Sequence, residues 1–327
     1  MKNVAVIGAG ISGLALANKI EHIANVTIFE KSRGFGGRVA TRRVDDISFD
    51  HGAQFFKVRD PDFKEYIKPM IEEGIIDIWR ARFVEIEKDK VISSRLWGDD
   101  PANYIGIPSM SSIGKFMSQN LNIKLSEQIA KIEKHDIWEL FNEEGVSQGK
   151  YDWVISTIPP VQCMQLFPNI RDIYSDIEKH EMSACFSLML AFDEDLNLDF
   201  DAALVKGTDI SWISCNSSKQ SRGKKYTILA HSTNKWASEY INHDRDWVKD
   251  YLCKELSKII KKDISEATYT GLQGWRYANA KKQNGQKFFI DKERNIALCG
   301  DWFIQGRIES AYISGSQLGN ELTNELA

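Results

Sequence analysis

The sequence predicts an α/β protein in which a parallel, nucleotide-type sheet is assembled from separated stretches of chain, with a second α+β domain inserted between them. Three observations predict it. An apolar run, Val4-Ala5-Val6-Ile7, leads directly into Gly8-Ala9-Gly10-Ile11-Ser12-Gly13. A helical stretch and a second strand, Val26-Thr27-Ile28-Phe29, follow and end in Glu30. Far down the chain, Asn295-Ile296-Ala297-Leu298-Cys299 reads as a strand stopped by Gly300-Asp301 and followed by small residues at helical spacing.

The first unit has the strand, turn, helix, strand and acid order that gives a G-x-G-x-x-G pattern its meaning. Gly8 permits the tight turn, Gly10 lets backbone approach a pyrophosphate, and Gly13 lets helix and sheet pack closely. Ile11 and Ser12 open the helix, where free N–H groups and the helix dipole favour phosphate. Glu30, about twenty residues past Gly10, is placed to accept hydrogen bonds from a ribose diol. A glycine-rich basic stretch, Lys31-Ser32-Arg33-Gly34-Phe35-Gly36-Gly37-Arg38, comes next, then Thr41-Arg42-Arg43. It offers the dinucleotide more donors and a guanidinium.

This pairing resembles the two-dinucleotide-domain flavoproteins that include monoamine oxidases and protoporphyrinogen oxidases. Asp50-His51-Gly52-Ala53-Gln54-Phe55-Phe56, Arg59-Asp60-Pro61, Trp275-Arg276-Tyr277-Ala278, Gly300-Asp301-Trp302 and Gly306-Arg307-Ile308-Glu309 further resemble renalase and its bacterial relatives. The resemblance implies an FAD-binding Rossmann-type domain and a second α+β substrate domain built on a mixed or antiparallel sheet. It implies non-covalent FAD contacted by Gly36, Gly37 and Arg38, by Gln54 and Phe55, and by a strand at Ile129 near the adenosine. Gly300 and Asp301 are expected at the ribityl or pyrophosphate part, and Arg307 and Ile308 at the start of a helix aimed at the flavin. The implied reaction oxidises 2- and 6-dihydro isomers of NAD(P)H to NAD(P)+. Hydride passes to flavin N5, and O2 reoxidises the flavin to give hydrogen peroxide.

The fold is expected in pieces. Residues 1–61, 108–161 and 287–327 form the FAD-binding domain, and 62–107 with 162–286 form the substrate domain over the flavin. Within the second piece, Ser111 reads as a helix cap, and Tyr151 to Thr157 as one strand stopped by Pro159-Pro160. Ala184 to Phe192 reads as a buried strand and Arg245 to Ile260 as an amphipathic helix.

Gln54, Lys57, Arg59, Trp97, Trp275 and Arg276 are the candidate substrate contacts. Lys57 and Arg59 suit a phosphate or ribose, and Trp97 could stack on a ring. His51 is the candidate general base, although the hydride chemistry requires no protein base.

Bulk properties narrow the class. A hydrophobic content of 43% over 327 residues supports one large or two ordinary domains, and the net charge of −4 gives no dominant basic balance for nucleic acid or a membrane surface. No apolar run approaches the ~18 residues of a spanning helix. Five cysteines without C-x-x-C argue against a disulfide framework or a metal site, and a reducing cytoplasm is expected. The apolar N-terminus is read as strand and glycine turn rather than signal peptide. The competing functions are a flavin amine oxidase or dehydrogenase on a small amine or polycyclic substrate, a non-catalytic flavin- or nucleotide-binding protein, and an NAD dehydrogenase without flavin.

Overall fold

The computed structural model describes residues 1–167 and 177–326. Residues 168–176, in the second expected insertion, and residue 327, at the end of the last expected piece, lie outside the described residues.

The first sheet has six strands. Their order is Phe288–Asp291, Ile296–Cys299, Trp153–Ser156, Lys2–Ile7, Ala24–Glu30 and Ile123–Leu125. All neighbours are parallel except the first two. The inner strands are buried on both faces, as continuous apolar runs such as Val4–Ile7 and Ile296–Cys299 require. Two helices cover one side, Ile11–Ile20 and Ile308–Leu326. Their small residues allow close approach, and the Ser12 hydroxyl donates to the Ala311 carbonyl at 2.9 Å.

The second sheet has seven strands, in the order Tyr269–Ala280, Met182–Phe192, Tyr226–Ser232, Ile210–Cys215, Ala202–Lys206, Arg82–Glu87 and Lys90–Leu96. It is antiparallel except where Ala202–Lys206 runs parallel to Arg82–Glu87. Residues from before and after the middle of the chain therefore share one mixed sheet. The Arg245–Ile260 helix packs on it through Val248, Leu252, Leu256 and Ile259, and the Asp244 side chain caps its start.

Two expectations fail locally. The stretch 151–157 is not one strand. Ser147–Tyr151 closes a three-stranded antiparallel sheet, and Trp153–Ser156 enters the parallel one. Asp152 makes the corner by accepting the Asn3 N–H on its carboxylate and donating its own N–H to the Asn3 carbonyl. Ser111 does not cap the Ser111–Met117 helix. Distant residues do so: Asp50 accepts the Met110 N–H at 3.0 Å and Thr41 the Ser111 N–H at 3.2 Å. The Ser111 hydroxyl instead meets Arg43 and Ser109.

Candidate active site

A cavity of about 2140 Å³ runs between the two sheets. One end is built by the glycine turn. The Leu14 N–H returns to the Gly10 carbonyl, so the N–H groups before it are those a helix start leaves unbonded, and no side chain caps them. A side chain on Gly10 would meet nothing within 4 Å, so the cavity reaches its Cα directly. One on Gly13 would lie 2.1 Å from the Gly8 carbonyl, and there the glycine serves packing alone. Gly8, Gly10, Ile11 and Ser12 line the cavity, whereas Gly13 does not.

Glu30 closes the same end. It is 8% exposed, and each carboxylate oxygen accepts one backbone N–H, from Ala9 at 2.9 Å and Ser32 at 2.8 Å. One lone pair per oxygen stays free, the requirement for holding two vicinal hydroxyls. Lys31, Ser32 and Ile129 line the wall beside it. The basic glycine segment is laced to the turn by a bridge between Gly10 and Gly36, with the Gly36 N–H donating to the Ala9 carbonyl. This open, donor-rich, carboxylate-ended groove fits the adenosine and pyrophosphate of a dinucleotide.

The middle of the cavity holds a pairing that the separate motifs do not announce. Arg38 forks onto Asp301, which is 3% exposed, and also donates to the Ala278 carbonyl at 2.9 Å. Two residues each expected at the cofactor therefore neutralise one another and tie two helical turns 263 positions apart, Gly37–Val39 and Asp301–Phe303. Gly37, Gly300, Arg307 and Ile308 line the cavity around them.

The other end is aromatic. His51 stacks on Trp275, with ring centres 5.1 Å apart, and the Trp275 indole donates to the His51 carbonyl. Phe55 and Trp212 form the opposing wall, 5.6 Å apart. Burial, aided by the charge on Arg42 and opposed by Asp50, pushes His51 down to about 4. Burial, then Lys219, pushes His231 down to about 4 as well. Both imidazoles are uncharged at neutral pH. His51 is thus a weak base, contrary to the expectation that it could serve as general base. His231, which sequence reading missed, lines the cavity, and its Nε2 has no partner among the described residues. No local signal marks it.

Two further candidates are corrected. The Gln54 carboxamide is spent. Its oxygen accepts from Ser214 at 2.8 Å and Lys219 at 3.1 Å, and its nitrogen donates to the Asp50 and Gly52 carbonyls. It braces the wall and presents no amide to a ligand. Trp97 stands behind Phe55, 4.9 Å away, among Trp79, Phe83 and Trp212, and does not line the cavity. Arg276 lines the cavity, with its guanidinium donating to Asn242 on the exposed side of its strand. Lys57 and Arg59 do line the cavity.

Behind Gln54 lies a buried ion cluster. Asp50, Lys219 and Arg222 are each fully enclosed, and the two cations meet the Asp50 carboxylate at 3.3 and 2.8 Å. Burial alone would raise the Asp50 carboxyl, but Lys219 and Arg222, with the Met110 N–H and Thr41 hydroxyl, hold it below its ordinary value.

Fold and groove define a dinucleotide-binding protein with an aromatic chamber beside the dinucleotide. A family model for flavin containing amine oxidoreductases matches residues 103–318, and one for an NAD(P)-binding Rossmann-like domain matches residues 6–70. The chain belongs to the flavin-containing amine oxidoreductase family. It is an FAD-dependent oxidoreductase.

Mitochondrial protoporphyrinogen oxidase of Nicotiana tabacum is 49% identical over 53 residues, 16% of this chain and 10% of that protein. A 4,4'-diapophytoene desaturase of Staphylococcus haemolyticus is 35% identical over 99 residues, 27% of this chain and 19% of that protein. These matches span a small part of the relatives' length. Among solved structures, a candidate protoporphyrinogen oxidase from Exiguobacterium sp. 255-15 superposes with a TM-score of 0.81 at 13% identity, covering 99% of both chains. A putrescine oxidase bound to putrescine gives 0.71 at 11% identity, again over 99% of both. At these identities the likeness speaks to the fold. No helix among the described residues is long and apolar enough to cross a membrane.

Glu30 gives the first prediction. Glu30→Ala removes the diol acceptor and orphans two backbone donors. FAD retention should weaken by about 1–3 kcal/mol, the scale of a lost charged hydrogen bond. Flavin fluorescence titration of the cofactor-stripped protein measures it, and unchanged affinity would remove Glu30 from the cofactor site.

Proposed function

We propose that the protein oxidises dihydronicotinamide dinucleotides, taking 2- and 6-dihydro isomers of NAD(P)H to NAD(P)+. Overall the substrate gives up a hydride, one proton comes from solvent, and O2 leaves as hydrogen peroxide. The observation that carries this reading is the aromatic end of the cavity, which has flat walls and uncharged imidazoles. Of the acids lining the cavity near it, Asp301 is paired with Arg38, and Glu309 accepts the N–H groups of Arg59 and Asp60 on one carboxylate oxygen. An amine arrives as a cation and must lose a proton before its oxidation. A dihydronicotinamide carries no proton on its ring nitrogen and becomes aromatic as it leaves.

Cavity size agrees. Drug-sized ligands fill roughly 300–1,000 Å³, so about 2140 Å³ leaves room for a dinucleotide cofactor and a second large molecule. FAD, when bound, supplies the hydride acceptor. The turn from Gly8 to Ser12, Glu30 and the segment from Gly36 to Arg38 would hold it. Cys299 is fully buried, does not line the cavity, and has its thiol pushed up by burial, which supports a dissociable cofactor.

The chain's own contribution is positional. His51 on Trp275 and Phe55 with Trp212 sandwich a flat ring and exclude water. Orientation of this kind can account for about 7–11 kcal/mol of a barrier, and it supplies the selectivity among isomers.

Anaerobic mixing tests the reading. The 2- and 6-dihydro isomers should bleach the flavin quickly and ordinary 4-dihydro-NAD(P)H only slowly, and oxygen should restore the colour with release of peroxide. If putrescine-like amines or a porphyrinogen bleach it and the isomers do not, the activities named for the structural relatives replace this reading. Bound flavin that no reductant of these classes bleaches would point to the non-catalytic alternative.

A further inference from the structure

Three cations, Lys57, Arg59 and Arg307, line one cavity wall. Lys57 and Arg59 continue the wall begun by Phe55, and Arg307 immediately precedes the C-terminal helix. One contact brings them together. Glu309, in the first turn of that helix, accepts the backbone N–H groups of Arg59 and Asp60. This pins the Lys57–Asp60 segment against the helix start. Both N–H groups go to one oxygen of that carboxylate, which makes no ion pair with Arg59 or Arg307. None of the three side chains has a hydrogen-bond or ion-pair partner among the described residues.

Arg95 adds to the field on Lys57, though Glu85 at 3.6 Å partly answers it. Partial burial, then Arg59, Arg307 and Arg95, lower Lys57 from its ordinary lysine value. Like charges gathered on one wall repel one another, and an arriving anion relieves the repulsion. Two guanidinium groups and an ammonium suit phosphate oxygens, which accept forked, charge-assisted hydrogen bonds.

We propose that Lys57, Arg59 and Arg307 form an anion site that binds the phosphates of the substrate and so sets the register of its ring against the aromatic wall. The proposal rests on the dihydronicotinamide reading and names what holds the non-reacting half of that substrate. Carboxylates on a large polycyclic substrate share this chemistry, and the test separates the two sources.

The holoenzyme is compared with a Lys57→Gln/Arg59→Gln/Arg307→Gln variant and with Lys57→Arg. Three readouts are taken: kinetics with dinucleotide isomers, kinetics with the corresponding phosphate-free dihydronicotinamide ribosides, and flavin-absorbance titration with inorganic pyrophosphate and with succinate. Wild type should prefer dinucleotide over riboside by kcat/KM. The triple variant should lose at least about 10-fold of that preference, mainly through KM, and Lys57→Arg should keep most of it. Pyrophosphate should compete with the dinucleotide in wild type and not in the triple variant.

A preference that survives in the triple variant overturns the proposal. So does succinate binding more tightly than pyrophosphate, or loss of FAD from the triple variant, which would assign the cations to the cofactor. Failure of every isomer to bleach the wild-type flavin counts against the reaction alone. Pyrophosphate binding to wild type and not to the variant would still support the site in that case, and its absence would overturn it.

Discussion

Protein carrying Gly10→Val is expected to purify folded and colourless. Gly10 has an ordinary φ of −73°, so valine meets no backbone strain there. Its Cβ meets nothing within 4 Å, so the branches project into the groove and not into the fold. They occupy the place where a dinucleotide's phosphates approach the helix start. FAD retention should fall by roughly 100-fold or more, at least about 2.7 kcal/mol. The circular dichroism of the variant should match wild type stripped of its cofactor. Gly13→Val makes the contrast, because its Cβ would sit 2.1 Å from the Gly8 carbonyl and must disrupt packing. Flavin absorbance after gel filtration, read beside a thermal melt, separates the two cases. A yellow Gly10→Val protein, or one as unfolded as Gly13→Val, would show that the groove does not serve the cofactor in this way.

The second large effect concerns stability. Asp50→Asn keeps the shape of the side chain but leaves Lys219 and Arg222 fully enclosed without their counter-charge. Breaking such a buried pair costs about 3–5 kcal/mol, a large share of a domain's net stability. The urea midpoint should drop accordingly, and Gln54, held by Lys219, should loosen with it. Lys292→Ala, which removes exposed pairs to Glu321 and Glu325, should move the midpoint far less.

Acid should act in two windows. His51 and His231 are lowered to about 4 from 6.5. The unfolded chain therefore binds more protons between those values, and stability falls as pH drops below about 6.5. Asp50 lies below its ordinary 3.8, so its contribution is present above that value and is lost as pH falls through the lowered one. Urea titrations at pH 7.5, 5 and 3 should show both losses. In Asp50→Asn the second should shrink. A midpoint indifferent to pH between 7.5 and 5 would mean that the histidines are not buried uncharged.

What the sequence disclosed was local. The glycine turn, the acid at Glu30, the Arg245–Ile260 helix and the strand ahead of Asp301 are each written in a contiguous stretch, where hydrophobic period and turn chemistry suffice. The cavity's charges are written otherwise. Arg38 and Asp301 were each visible as cofactor candidates, but their fork spans 263 positions. Asp50 finds Lys219 and Arg222 169 and 172 positions away, in a region with no motif. Gln54 was misjudged for the same reason, because the donors that occupy its amide come from Ser214 and Lys219. Trp97 carried an ambiguous signal. An aromatic residue reads alike whether it faces a ligand or four other rings, and tertiary packing decided.

The six-stranded sheet places Trp153–Ser156 between Lys2–Ile7 and Ile296–Cys299. The helix against its opening turn comes from residues 308–326. During synthesis the strand Lys2–Ile7 is made long before its neighbour Trp153–Ser156, and the helix Ile11–Ile20 long before Ile308–Leu326, which packs against it. The nascent chain thus carries an apolar strand with an open edge, first Lys2–Ile7 and then Trp153–Ser156, until residues 296–299 are made, a state prone to mispairing. Pairings of such sequence separation also close slowly. The amino-terminal strand and helix therefore need shelter until those distant segments are made, and the groove that Asp301 completes forms only with them.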